Sequence, residues 1–142
     1  MNNNNKTFLS LSFSKGFTCP NIPIATFTQG DKELNFILDT GSDDNVINRS
    51  ALTDINYEMI EHDGTLAGVG GVFKVEACNI PFQYEGENFV AKFLIADHLQ
   101  QAFDDIRKAH AIPLHGLIGS KFLFSNNIVL DFNNLTAYNR KE

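Results

Sequence analysis

The chain has 142 residues, enough for one domain whose core needs neither disulfides nor metals. Its formal net charge is -6 and no run of Lys or Arg forms a basic stripe, which argues against a nucleic-acid partner. No apolar run approaches the ~18 residues of a membrane span, and Met1 to Cys19 alternates apolar with hydroxyl residues instead of forming a leader core, so the sequence predicts a cytoplasmic protein with no membrane partner.

The polar run Asn2 to Asn5 predicts a disordered end over residues 1–7, followed by a single domain over 8–142. Phe8, Leu11 and Phe13 mark a first strand, and Lys15-Gly16 a turn. Ile22 to Phe27 reads as a second strand, with Pro23 placing it at an edge or strand start. Gln29 to Lys32 is a hairpin turn that returns through Glu33 to Leu38. Ser50 is placed to cap a short helix over Ala51 to Ile55. Glycine is densest between Gly64 and Gly71, ahead of Val72 to Val75 and an alternating segment that runs to Tyr84. Glu85-Gly86-Glu87 turns into a strand over Phe89 to Ile95. From Asp97 to Ala109 the period changes: Leu99, Ala102, Phe103 and Ile106 recur at helical spacing, with Asp97 as the predicted N-cap and Pro113 barring continuation. Gly116 to Gly119 is a short apolar segment, and Ser120 is placed to cap a second helix through Phe124. Ile128 to Phe132 and Leu135 to Tyr138 flank a turn at Asn133-Asn134. With 13 Phe, 3 Tyr and no Trp, the core is expected to be aromatic and sheet-based. The sum is a mainly all-β domain with two or three short helices.

The chemistry concentrates at Asp39-Thr40-Gly41, between the apolar runs Phe36-Ile37-Leu38 and Val46-Ile47. A carboxylate is thereby set at a tight turn between two buried strands, beside a hydroxyl. A lone aspartate titrates near about 3.9 and is a poor proton shuttle at working pH. Two aspartates pressed together cannot both ionise easily, so one holds a proton while the other acts as base. Asp-Thr-Gly occurs once, so one chain holds half of such a site and the active species needs two. Thr40 supports the turn, and Gly41 lets backbone and substrate come close.

Three motifs in order carry a resemblance: Leu38-Asp39-Thr40-Gly41-Ser42-Asp43-Asp44-Asn45-Val46-Ile47, Ala67-Gly68-Val69-Gly70-Gly71-Val72-Phe73-Lys74-Val75, and Gly116-Leu117-Ile118-Gly119-Ser120-Lys121-Phe122-Leu123. Over roughly residues 20 to 138 the chain resembles the retropepsin-like aspartic proteases, the retroviral-type single-lobe peptidases with their bacterial relatives. The resemblance implies a closed acid-protease barrel, a homodimer and a polypeptide substrate, with no cofactor and no metal. It implies that Asp39, Thr40 and Gly41 are catalytic. It implies that Ser42, Asp43 and Asp44 contact substrate, that Ala67, Gly68 and Val69 sit on a flap, and that Leu117 lines a side-chain pocket. Ser42 stands where the retroviral enzymes usually carry alanine, and a hydroxyl donor there is expected to stabilise ionised carboxylate and favour an acidic optimum. Ser120-Lys121 replaces an arginine at the start of the helix, so the resemblance does not carry over an ion pair to Asp43. The helix over Asp97 to Ala109 is an addition, and the C-terminal hairpin departs from the family's interleaved termini.

Other candidates carry less. His98, His110 and His115 with Asp104 and Asp105 match no metal-ligand spacing. Gly68 to Gly71 lacks the Lys-Ser and helix of a phosphate loop. Asn48-Arg49-Ser50 and Asn134-Leu135-Thr136 are glycosylation sequons by letter only. Cys19 and Cys78 read as free, buried thiols without a histidine partner. The rival readings are a retropepsin fold that binds peptides or dimerises without cutting, and a structural domain of a larger assembly.

Overall fold

The computed structural model describes residues 10–12, 14–16, 21–61, 65–68 and 71–139. In chain order the strands are β1 (Ser10–Ser12), β2 (Ile24–Gln29), β3 (Lys32–Leu38), β4 (Asn45–Asn48), β5 (Glu58–Ile60), β6 (Thr65–Gly68), β7 (Gly71–Lys74), β8 (Ala77–Tyr84), β9 (Glu87–Ala96), β10 (Gly116–Ile118), β11 (Ile128–Asp131) and β12 (Thr136–Asn139). Two α-helices, α1 (Gln100–His110) and α2 (Ser120–Ser125), flank β10, and 3-10 turns lie at Ser14–Gly16 and Arg49–Asp54. Among the described residues no helix is long and apolar enough to cross a membrane.

The strands β2, β3, β10, β4, β9 and β8 hydrogen-bond in that order, and β8 returns to β2 at Thr28 and Gln83. This closes a six-strand barrel, with β5 added outside on β8. Closure removes the open edges that a flat sheet would expose. Among the described residues β6 and β7 pair with each other alone, and β1, β12 and β11 form a separate three-stranded sheet. In that sheet the first strand is already paired with the last strand of the same chain.

The barrel is filled by phenylalanine. Phe27, Phe36, Phe82 and Phe93 are all buried, and alternation along β2, β3, β8 and β9 brings them to one interior. Phe82 is the hub: it meets Phe27 edge-on at 4.9 Å and stacks on Phe89 at 5.3 Å. It also touches Phe36, Phe93 and Phe122. Cys78 is buried in the same core as a free thiol, and burial pushes its pKa up to about 11. Cys19 lies outside the described residues.

Several sequence expectations about helix ends are corrected. Asp97 does not cap α1; Leu99 holds the N-cap position in helical conformation, because the Asp97 carboxylate is drawn to Arg49 Nε at 2.6 Å. Ser50 lies inside a 3-10 turn that starts at Arg49, and its hydroxyl donates to Gln100 Oε1 at 2.6 Å. Gly119, not Ser120, occupies the cap of α2. α1 ends at Ala111 in the left-handed region, two residues before Pro113. The strand β5 has no alternating signature in the sequence, and two of its three residues are exposed. Val75 and Glu76 interrupt the segment predicted to run on to Tyr84, leaving β7 and β8 as separate strands. Asn48, the first sequon's asparagine, is buried and donates to Ser50 and Gln100.

Replacing Phe82 with Ala removes the centre of the aromatic cluster and should cost roughly 3–5 kcal/mol of stability by chemical denaturation. A loss below about 1 kcal/mol would show that the cluster does not hold the barrel.

Candidate active site

β3 delivers Leu38 into the barrel core and ends there, so Asp39 emerges at the barrel rim. The chain then crosses Thr40 to Asp44 and re-enters as β4. β3 and β4 do not pair with each other. β10 lies between them, parallel to β3 and antiparallel to β4. The turn is therefore held open by an inserted strand.

Glycines at both ends of β10 make the insertion possible. A Cβ on Gly116 would overlap the Val46 carbonyl oxygen, and one on Gly119 would overlap the carbonyl oxygen of Asp44. The Gly119 Cβ would also lie 2.7 Å from the Ser42 carbonyl oxygen. Hydrogen bonds lock the same contact. Asp39 N donates to Ile118 O at 2.8 Å, Ser120 N to Ser42 O at 2.7 Å, and Lys121 N to Asp43 O at 3.1 Å. Amides at the start of α2, which have no partner inside the helix, thus cap the carbonyls of the Asp39 loop. Asn45, buried at the start of β4, accepts from Gly119 N at 2.9 Å and donates to Lys92 O at 3.1 Å. Sequence reasoning missed Asn45; a lone polar residue at the head of an apolar strand was the available signal.

Within the turn the Asp39 carboxylate is half-buried, and its Oδ1 accepts from Gly41 N at 2.9 Å. Thr40 and Gly41 are exposed, and the Thr40 side chain makes no hydrogen bond with another described residue. Ser42 does not aim its hydroxyl at Asp39. It donates to Asp44 O at 2.7 Å, so the expected acid-favouring donor is engaged elsewhere. Asp43 is exposed. Asp44 takes the ion pair that the sequence left open, from Lys121 Nζ at 3.1 Å. Leu117 sits half-buried on β10, opposite Ile37 and Val46. The structure thus gathers Asp39 to Asp44 and Leu117 around one loop. Ala67 and Gly68 lie on β6, where they pair with Val72 and Gly71 of β7. Val69 lies outside the described residues.

His115 braces the rear of the site. Its backbone N donates to Asn35 O at 2.9 Å, its carbonyl accepts from Asn48 N at 2.9 Å, and its Nδ1 accepts from Asn35 N at 3.1 Å. Burial lowers its pKa below the ordinary value, so the ring is held neutral as an acceptor. Among the described residues no group of three or more His, Cys, Asp or Glu is arranged to hold a metal ion. A cavity of about 540 Å³ lies on the outer side of Asp44, lined by Asn45, Phe89, Lys92, Lys121 and Phe122 among others, and it does not include Asp39.

No protein-family model and no curated protein matches the chain. A solved structure does: the EIAV protease complexed with the inhibitor HBY-793, with a TM-score of 0.51 and 20% sequence identity. The match covers 75% of this chain and 89% of that one. The chain has the retropepsin-type fold. Along the chain the Asp39 turn, the β6–β7 hairpin and β10 with α2 follow the order of the three sequence motifs.

Two outcomes test this construction. Gly119→Ala pushes a methyl into the loop backbone and should destabilise the protein by roughly 1–3 kcal/mol. Lys121→Ala removes only an exposed ion pair and should cost less than about 1 kcal/mol. Equal effects in thermal denaturation would contradict the backbone contact as the main brace. His115 contributes a pH dependence of its own. Its folded pKa lies below the unfolded 6.5, so the unfolded chain binds the proton more readily. Stability from this group is complete above that value and declines as pH falls through the lowered folded pKa. His115→Gln should flatten the decline; an unchanged slope would exclude His115 as its source.

Proposed function

We propose that the protein is an aspartic endopeptidase that acts as a homodimer, with one Asp39 from each chain. The observation that carries this reading is the Asp39 carboxylate at the mouth of a rigidly braced turn in a retropepsin-type barrel. The brace fixes where the carboxylate points, and the exposed Thr40 and Gly41 leave its outer side open for a twin.

In the proposed dimer the two Asp39 carboxylates share one proton, because two like charges pressed together repel. The ionised member takes a proton from a water held between them. The water oxygen attacks the peptide carbonyl while the protonated member donates to the carbonyl oxygen. Collapse of the tetrahedral species expels the amine, which leaves with a proton from the dyad. The reaction uses protein carboxylates and water alone and passes through no covalent enzyme intermediate. The Gly41 N–H on Oδ1 keeps one face of each carboxylate engaged, which leaves Oδ2 for proton traffic. Thr40 has its hydroxyl available to bond across the twofold axis. The substrate lies extended over the turn, its backbone meeting Gly41, Ser42, Asp43 and Asp44, and the β6–β7 hairpin closes over it with Ala67, Gly68 and Val69.

The cis pairing of β1 with β12 bears on assembly. β12 already has a neighbour on each side, so a second chain meets this sheet at an outer strand instead of threading between the termini.

Asp39→Asn keeps the acceptor for Gly41 N and should leave fold and dimer intact. Cleavage of a peptide library should fall by roughly 10²-fold or more, since both acid and base functions are lost. Turnover near wild type in the Asn variant would end this reading.

A further inference from the structure

β9 outruns one of its two neighbours. On one side β8 pairs with residues 87–94 of it, but on the other β4 pairs only with residues 93–96. Among the described residues, the stretch 88–92 therefore has a strand neighbour on one side alone. Asn45 fills part of the missing neighbour's place, its side-chain amide donating to Lys92 O at 3.1 Å. Backbone groups alternate between the two edges of a strand, so the N–H and C=O of Val90 turn to the same open edge as the Lys92 carbonyl. Pro81 fits this phase. It stands opposite Val90 on β8, has no N–H to give, and turns its carbonyl away to Gln29 Nε2 at 2.8 Å.

The cavity of about 540 Å³ beyond Asp44 borders this edge, lined by Asn88, Val90 and Lys92 from β9 and by Lys121, Phe122 and Ser125 from α2. Its size is that of a ligand-binding cleft. Val90 is 70% exposed beside it. Lys92 and Lys121 are the cations of the lining and Asp44 its one anion, and Lys121 already engages Asp44 at 3.1 Å. Lys92 is exposed and takes part in none of the ion pairs among the described residues. In a chain of net charge -6 the sign is reversed at this one edge.

We propose that the open edge of β9 is a docking site for an extended acidic segment of a polypeptide. The segment adds as a strand beside residues 88–92 and sets Asp or Glu side chains against Lys92 and Lys121. Two features choose this occupant. The N–H and C=O of Val90 are met at strand spacing by another extended backbone. The local excess of ammonium groups favours carboxylate side chains and disfavours basic ones. Neither Asp39 nor the β6–β7 hairpin lines the cavity, so the site is separate from the turn and the inference stands apart from the peptidase reading.

The test titrates the Asp39→Asn protein with two nine-residue peptides, one alternating Val with Glu and one alternating Val with Gln. Amide hydrogen exchange is followed residue by residue by NMR. The substitution keeps the probes from being cut, and the readout needs no catalysis. At low salt the Glu peptide should bind at least about fivefold more tightly than the Gln peptide, and adding Lys92→Glu should weaken it by about as much. Lys92 is exposed, so thermal denaturation should show the variant folded. At saturation the Val90 amide should exchange about tenfold or more slowly, because a strand hydrogen bond now covers it. A lysine that only guards a strand edge against pairing gives no such protection. Equal binding of the two peptides, no saturable binding of the Glu peptide at millimolar concentration, or an unchanged Val90 amide beneath a bound peptide would each overturn the docking edge. Protection confined to Gly41 and the β6–β7 hairpin would overturn it as well, since the peptide would then lie over the Asp39 turn.

Discussion

The insertion of β10 between β3 and β4 is the constraint on which the site depends. Two strands joined by a short turn would ordinarily pair with each other as a hairpin, and the turn would be narrow. Here each pairs with β10 instead, and the connecting residues must span its width. That wedge creates a loop broad enough to present a carboxylate, and the loop has carbonyls to satisfy. The amides of Ser120 and Lys121 satisfy the carbonyls of Ser42 and Asp43, and the Gly119 amide donates to the Asn45 side chain. Small residues at both ends of Gly116-Leu117-Ile118-Gly119 are a packing requirement, since the neighbouring backbone occupies the space a side chain would need.

The same three-residue strand joins the core to the surface. Ile118 anchors the loop to the phenylalanine-filled barrel, and Leu117 faces the layer beneath α1. The two faces of one strand therefore serve two separate apolar layers. His115, immediately before it, ties β10 to β3 through Asn35 and to β4 through Asn48. Its neutral ring is part of the brace, so protonation of His115 at low pH works against this contact. The exposed ion pair between Lys121 and Asp44 adds orientation to the loop more than energy.

Much of this was legible in the sequence because the deciding signals are local. Alternation along β2, β3, β8 and β9 reveals strands, and Asp-Thr-Gly between two apolar runs reveals the turn. What escaped was set by distant partners. Asp97 has the chemistry of a helix cap, yet Arg49, far away in sequence, claims its carboxylate. Ser42 has the chemistry of a donor to Asp39, yet its hydroxyl donates to a carbonyl two residues on. Asn45, a lone polar residue at the head of an apolar strand, is buried and bonded to Gly119 and Lys92. β5 carries no periodic pattern, because it is an added strand outside the closed barrel.

The central claim is that one chain supplies half of a site. A mixing experiment tests it most directly. Wild-type protein at fixed concentration is titrated with the Asp39→Asn variant, allowed to exchange, and assayed for peptide cleavage. If two Asp39 carboxylates from different chains act together, mixed dimers are inactive and activity falls steadily as the variant is added in excess. Cleavage that stays constant across the titration, in a sample where sedimentation shows the two proteins to have mixed, would contradict the account.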